Sequence, residues 1–361
     1  MKITGIDLDA VNVNHRVDWV FVHVLTDEGI QGLGELKAGK NYSAQIRAVR
    51  AMEEQIQGTD PRRIEAIVDA FKKGTPDQVK ALSAIEQALW DILGKSLDAP
   101  VHRLLGGACH DEIRVYANIN RATTDRTPEG FARNAAAAVV EGFDAVKLAP
   151  FTNRGIDRVE EARDGIACLT AVRQAIGPNV DLLVDCHSRF TPRGALETAQ
   201  AIQDLDMFWF EQPVPEADVE GCVKVKEECG LRVAGGEQRM LREGFVEVCQ
   251  HQSMHVVMPD VKIVGGIGEL KKVGDLTAAW GIPTAPHGAS GPVTVAAGVQ
   301  AMLTLPEFLI LEFAWGEVPW RKDLLLPGEE IQNGRIQRQE RPGLGVVLNP
   351  DLVEKHRVAL D

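Results

Sequence analysis

The sequence predicts an α/β fold in which a TIM-like barrel of βα units follows a smaller α+β unit. Three observations carry this expectation. The chain has 361 residues, more than one small domain and about what a barrel plus a second unit requires. Its opening third runs strands first and helices second, the order of an α+β unit. From Val115 onward, short β-branched or apolar runs alternate with helical stretches, as repeated βα units do.

The elements follow in order. Ile3 to Val13 and Trp19 to Leu25 alternate in polarity as a hairpin would, ahead of a turn at Asp27, Glu28 and Gly29. From Ser43 to about Gly94 apolar residues recur at helical spacing, as at Ala84, Ala88 and Leu89, with Pro61 and Pro76 as breaks. The first unit closes near Gly106 and Gly107 and is assigned residues 1–110. Within residues 111–320, strands are expected to end near Asn118, Lys147, Asp185, Glu211, Glu237, Asp260, His287 and Glu312, a set that fits a barrel. Residues 321–361 return to turns and short strands, including the Asn333-Gly334 turn, and are expected to pack back on the first unit.

A composition of 45% hydrophobic and 25% charged residues is that of a globular chain with a large core. The net charge of −13 argues against nucleic acid or an anionic membrane as partner. A small acid still fits if local cations, above all a metal, outweigh the distant field. The six cysteines form no CxxC pair and read as reduced thiols. No secretory pattern opens the chain, and no run approaches the ~20 apolar residues of a membrane span. A cytoplasmic location is the expectation.

The informative feature is where polar residues interrupt apolar strands: LLVDCH, FWFEQP, VAGGEQ, VVMPD, PTAPH and LILEF. Asp185, Glu211 and Glu237 are equally spaced, one βα unit apart, so they come from successive strands and converge on the carboxyl-terminal mouth of a barrel. Three close carboxylates repel one another unless a cation lies between them, and all-oxygen ligands suit Mg2+. Singly, each would read as a helix cap or salt-bridge partner. Asp260 and His287 end the next two strands and should be neighbours. A carboxylate on one imidazole nitrogen fixes the tautomer and raises the basicity of the other, which makes His287 a candidate general base. The competing assignment is a capping Asp and a surface His.

His187 lies two residues past Asp185, a spacing that would share its face in a strand, and is a candidate acid toward a leaving hydroxyl or a loop-bonding histidine. Arg189, in the same loop, would hold an anionic or hydroxylated substrate or simply face solvent. Lys147 would place a cation beside the carboxylates, for catalysis or for structure. Glu312 would be a protonated carboxyl donating to a substrate carboxylate, or a charged rim residue. Lys262, two residues beyond Asp260, competes as base. The Gly265-Gly266 pair lacks a full phosphate-binding fingerprint and reads as a loop.

Over nearly its whole length the chain resembles the enolase superfamily, and within it the mandelate racemase subgroup. AIEQALWDILGKSLDAPVHRLLGG is similar to the segment joining that family's capping domain to its barrel, and the barrel motifs then match in order. The resemblance implies a (β/α)7β barrel with an N-terminal α+β cap completed by the C-terminal segment. It implies Asp185, Glu211 and Glu237 as Mg2+ ligands, Asp260 and His287 as the paired base, and Glu312 as the carboxyl facing the substrate's carboxylate. Where the family's racemases carry KxK, this chain reads Lys147-Leu148-Ala149, and alanine moves no proton. Asp185-Cys186-His187 instead resembles the galactonate and mannonate dehydratase branch, where the histidine helps the β-hydroxyl depart. The loop from Asn12 to Trp19 corresponds to the family's specificity loop, with His15, Arg16 and Trp19 expected to close over substrate. The family's octamers imply a homo-oligomer.

The expected activity is dehydration of a sugar acid to a 2-keto-3-deoxy acid. Alternatives are a cycloisomerase opening an anhydrosugar acid or lactone by the same elimination, an epimerase, and a non-catalytic barrel that binds a sugar acid.

Overall fold

The computed structural model describes every residue except Arg16, Ala38, Lys40, Ala289, Ser290 and Asp361. The first unit is an antiparallel sheet, β1 (Ile3–Asn12), β2 (Asp18–Thr26) and β3 (Gln31–Glu35), in sequence order. Its helices are α1 (Ser43–Ile56), α2 (Ile64–Phe71) and α3 (Pro76–Ser96), with a short α4 (Val101–Leu104) after them. The two prolines fall at breaks as expected, Pro61 between α1 and α2 and Pro76 as the first residue of α3. The fixed φ of Pro76 suits a first helical position, and Thr75 and Gln78 close a capping box around it. Helix α3 lies so close to β3 that a Cβ on Gly32 or Gly34 would sit 2.0 Å from the carbonyl oxygens of Ala88 or Ala84. That contact carries α3 to the seam with the barrel.

The barrel runs β4 (Glu112–Asn118), α5 (Pro128–Val140), β5 (Ala145–Leu148), α6 (Arg163–Ile176), β6 (Asp181–Asp185), α7 (Pro192–Ile202), β7 (Met207–Glu211) and α8 (Val219–Glu228). It continues through β8 (Val233–Gly235), α9 (Glu243–His251), β9 (Val256–Val257), α10 (Ile267–Ala278), α11 (Pro292–Met302) and β10 (Leu311–Ala314). Neighbouring strands are parallel, and β10 returns to pair with β4. The seventh strand position is held by isolated parallel bridges, Val257 to Thr284, Thr284 to Phe308 and Asp260 to His287.

One side chain from each strand position fills the barrel's centre: Tyr116, Ala145, Leu183, Trp209, Ala234, Val256, Ala285 and Ile310, with Met258. A second, larger apolar layer lies between strands and helices. Two residues past the central layer, strand periodicity brings the same face up again, now with Asn118, Lys147, Asp185, Glu211, His287 and Glu312. An apolar floor thus supports a ring of polar groups at the carboxyl-terminal mouth.

After the barrel come β11 (Leu325–Leu326), β12 (Arg335–Gln337), β13 (Val347–Leu348) and α12 (Pro350–His356). β12 adds antiparallel to the barrel's β4, while Arg357 bridges to Val11 and Val358 donates to the Ala10 carbonyl of β1. Among the described residues, no helix is long and apolar enough to cross a membrane.

Candidate active site

Each wall of the mouth contributes in turn. Strand β6 ends on Asp185, in register with Glu211 at the end of β7. Glu237 lies two residues beyond β8: Gly236, at φ +102°, turns the chain out of the strand, so this carboxylate arrives by a loop. Asp260 likewise lies past the end of β9. Backbone in the left-handed region clusters here, at His187 (φ +48°), Ser188 (φ +56°) and Gln212 (φ +44°), directly after Asp185 and Glu211. Such strain in non-glycine residues persists only where surrounding bonds over-determine it. Zipper-like bonds from Cys186, Ser188 and Phe190 to the carbonyls of Glu211, Gln212 and Pro213 do so.

Lys147 is wholly buried between two carboxylates, 3.0 and 3.1 Å from the two oxygens of Glu211 and 2.8 Å from Glu312. Burial would lower its pKa, but Glu211 and Glu312 outweigh burial and hold the ammonium charged. Burial, and then the nearby Asp185 charge, push the Glu211 carboxyl well above its ordinary range against the pull of Lys147. Trp209, two residues before Glu211 and on its face, donates Nε1 to Oε2 at 3.2 Å.

Glu312 is fully buried and is not a rim residue. Its Oε1 accepts from Asn118 Nδ2 at 2.6 Å and its Oε2 from the Gly288 amide at 2.8 Å. Burial favours the neutral acid, yet Lys147 and His287 prevail and set the pKa below the usual carboxylate range. Both oxygens of Glu312 thus face cations and N–H groups of the protein, an environment that favours the carboxylate in the absence of substrate.

Asp260 Oδ2 lies 2.7 Å from His287 Nδ1. The other imidazole nitrogen, Nε2, faces Glu237 at 3.2 Å and Glu312 at 3.5 Å. Burial would lower the His287 pKa, but Glu237, Glu312 and the Asp260 hydrogen bond raise it to about 9. Lys262 is buried and salt-bridged to the same Asp260 at 3.0 Å, while its amide donates to Oδ1 at 2.8 Å. Lys262 and His287 together hold the Asp260 carboxylate ionised against the cost of burial.

Half-way around the barrel from His287, His187 Nε2 lies 2.9 Å from Asp185 Oδ2. It reaches Asp185 by a left-handed turn and not by strand alternation, its own amide donating to Asp185 Oδ1 at 2.8 Å. Burial would lower its pKa, but the bond to Asp185 wins and raises it. Arg189 follows, its Nε buried without a hydrogen-bond partner among the described residues.

The specificity-loop expectation changes most. Trp19 is 0% exposed and packs edge-on to Trp320, with Arg321 over its ring, so it is a core residue of the sheet and not a lid. β2 is the central strand of its sheet, and both of its faces are covered through this stretch. His15 is exposed in the turn between β1 and β2, and Arg16 lies outside the described residues.

Asp185, Glu211 and Glu237 offer only oxygen donors and end or follow three successive strands at the same mouth, so the chemistry of the donor set fits Mg2+. Among the described residues no three such groups are already gathered as a metal cage. Each of the carboxylates is turned to a cation of the protein instead: Asp185 to His187, Glu211 to Lys147, Glu237 to His287. Asn118, Trp209 and Gln238, whose Nε2 donates to Glu237 at 2.8 Å, were not singled out from the sequence. Asn118 gives the same signal as Asp185, a polar residue ending an apolar strand, and Trp209 is two residues from Glu211.

Residues 8–106 match the family model described as mandelate racemase / muconate lactonizing enzyme, N-terminal domain, and residues 130–352 match the one described as enolase C-terminal domain-like. The chain is 30% identical to the D-xylonate dehydratase of Haloferax volcanii over 98% of its own length and 88% of that protein. It is also 30% identical to the D-galactarolactone cycloisomerase of Agrobacterium fabrum, covering 99% of each. The crystal structure of mandelate racemase/muconate lactonizing enzyme from Jannaschia sp. CCS1 superimposes with a TM-score of 0.92 at 31% identity, over 100% of this chain and 99% of that one.

Proposed function

The chain belongs to the mandelate racemase/muconate lactonizing enzyme family of the enolase superfamily, and we propose that it is a Mg2+-dependent sugar acid dehydratase. One observation carries the reading: two imidazoles, His287 backed by Asp260 and His187 backed by Asp185, stand on opposite walls of a carboxylate-lined mouth. Dehydration of a 2,3-dihydroxy acid needs a base for the C2 proton and an acid for the C3 oxygen.

Asp185, Glu211 and Glu237 would hold the Mg2+, which when bound supplies positive charge that withdraws electron density from the substrate carboxylate as the C2 proton leaves. His287 Nε2 takes that proton, while Asp260 keeps Nδ1 as the protonated nitrogen and stabilises the imidazolium formed. The C2–H electron pair is first delocalised into the carboxylate, a step that solvent can reverse, and then forms a C2=C3 double bond as the C3–O bond breaks. The departing oxygen takes a proton from His187 Nε2 and leaves as water. The remaining enol tautomerises to the 2-keto-3-deoxy acid. Buried Lys147 does not move protons in this scheme: fixed between Glu211 and Glu312, it holds both carboxylates in place.

At the position of the racemases' second lysine stands Ala149, 4% exposed, whose amide is bonded to Asn120. This supports elimination over simple racemisation. A cycloisomerase is the second reading, supported by the end-to-end match to the Agrobacterium fabrum enzyme. A ring oxygen β to the carboxylate would leave by the same steps.

Incubation of the Mg2+-loaded protein with aldonic, aldaric and anhydrosugar acids in D2O, read by NMR and mass, tests the proposal. A product lighter by one water is expected. A product of unchanged molecular composition would favour the cycloisomerase, and deuterium at C2 without elimination would favour an epimerase. Binding without exchange would leave a sugar-acid-binding barrel.

A further inference from the structure

The barrel helices differ in how their first turns are capped. Helices α5, α7 and α8 cap themselves: Thr127, Thr191 and Asp218 accept from Gly130, Gly194 and Gly221, respectively. Helices α6 and α9 have no side-chain N-cap, and neither do α10 and α11, which follow the strand positions carrying Asp260 and His287. The N-cap residues of α10 and α11 are Gly266 and Gly291, which have no side chain to offer. Unsatisfied amides at a buried helix start are costly.

The missing acceptors come from the N-terminal unit. Glu86 of α3 accepts from the Ile267 amide at 2.6 Å and the Gly268 amide at 2.7 Å, and is itself fixed by Trp90 Nε1 at 2.7 Å. One turn earlier Ser83 accepts from the Gly265 amide at 3.0 Å. Glu35, the last residue of β3, accepts from the Gly291 amide at 2.8 Å and the Thr294 amide at 3.0 Å. Both carboxylates are essentially inaccessible to solvent.

Steric clearance ties the glycines to these carboxylates. A Cβ on Gly291 would lie 2.6 Å from both oxygens of Glu35, and one on Gly266 would lie 2.0 Å from Glu86 Oε2. Gly291 has φ −69° and ψ 170°, where Ser or Asp would ordinarily serve as a cap. Backbone conformation does not demand glycine there, whereas the approach of Glu35 does.

Both caps lie close in sequence to the base pair. Asp260 begins the turn into α10, its carbonyl accepting from Ile263 and Val264 at 2.8 Å. His287 is four residues before Gly291, and the intervening Gly288 amide is bonded to Glu312.

We infer that Glu35 and Glu86 are positioning residues for the Asp260–His287 pair, each supplying from the N-terminal unit the helix cap that the barrel segment beside the pair lacks. The inference rests on the reading of His287 as the base. The helices that follow Asp185 and Glu211, α7 and α8, cap themselves, so that half of the mouth does not draw its caps from the N-terminal unit.

The test is Glu35→Ala alone and combined with Gly291→Asp, which gives α11 a cap of its own in the space Glu35 vacated. Glu35→Ala should lower kcat about 100-fold, the scale of a small misplacement of a catalytic group, with KM and Mg2+ affinity within about threefold of wild type. The double variant should recover at least tenfold in kcat. Glu35→Gln preserves the buried shape but turns an N–H2 toward helix amides, so it should show the same loss if the alanine variant does not fold.

A second readout does not depend on turnover: the low-field proton resonance of the His287 Nδ1–Asp260 hydrogen bond, assigned by its loss in His287→Asn. It should broaden or vanish in Glu35→Ala and return in the double variant, even if no sugar acid proves to be a substrate. Folded Glu35→Ala or Glu35→Gln protein with wild-type kcat and an unchanged resonance would overturn the inference. So would joint loss of kcat and Mg2+ affinity that Gly291→Asp does not repair.

Discussion

His287 Nδ1 and Asp260 Oδ2 are 2.7 Å apart, joining two strand ends of the barrel in a single hydrogen bond. This bond leaves the second imidazole nitrogen committed to the interior of the mouth. Asp260→Asn keeps the shape but removes the charge and allows the amide to donate to Nδ1, favouring the wrong tautomer. Turnover should fall by about 10²–10⁴-fold, with KM changed far less. Steady-state kinetics at saturating Mg2+ measures both.

His187 and His287 should be separable by isotope exchange. With His187→Asn the base remains and the acid is gone, so exchange of the C2 proton with D2O should persist while loss of water slows by about 10²-fold or more. NMR of substrate recovered from D2O distinguishes this from a variant that loses both.

Mg2+ binding should be coupled to proton release. His187 and His287 owe their raised pKa values in part to Asp185 and Glu237, the carboxylates a metal would take. Metal binding withdraws that support and lowers both values. Below about 9 for His287, the metal-free protein holds a proton that the loaded protein releases. Mg2+ affinity should therefore rise with pH through the neutral range, by up to about tenfold per unit for each proton released. Titration calorimetry in buffers of different ionisation enthalpy counts the protons.

Lys147→Met should cost stability. It leaves Glu211 and Glu312 facing each other without their shared cation, and breaking one side of a buried charge pair costs about 3–5 kcal/mol. Denaturant unfolding of metal-free protein should show the full loss. Saturating Mg2+ should restore part of it, since it replaces positive charge beside Glu211.

The site was legible where strand periodicity and polarity coincide. Asp185, Glu211, His287 and Glu312 each end or interrupt an apolar run two residues above the barrel's central layer, and the sequence displays that interruption directly. Glu237 was legible by spacing alone, since the chain has left β8 before reaching it. Trp19 misled because an aromatic residue beside a loop resembles a lid, whereas both faces of β2 are buried here and alternation carries no information. The ionisation of Glu312 depends on Lys147, Asn118 and Gly288 meeting in space. Glu86 looks like a polar position of an amphipathic helix, and nothing local connects it to amides 181 and 182 residues away.

The most direct test of the central claim is exchange of the C2 proton of a turned-over sugar acid in D2O, comparing wild type with His287→Asn, both loaded with Mg2+. The account predicts that wild type releases water and exchanges solvent deuterium, while the variant, at saturating Mg2+, does neither above about 10⁻³ of the wild-type rate. Wild-type rates of exchange and dehydration in His287→Asn would contradict it and move the search for the base to another residue, with Lys262 the first to examine.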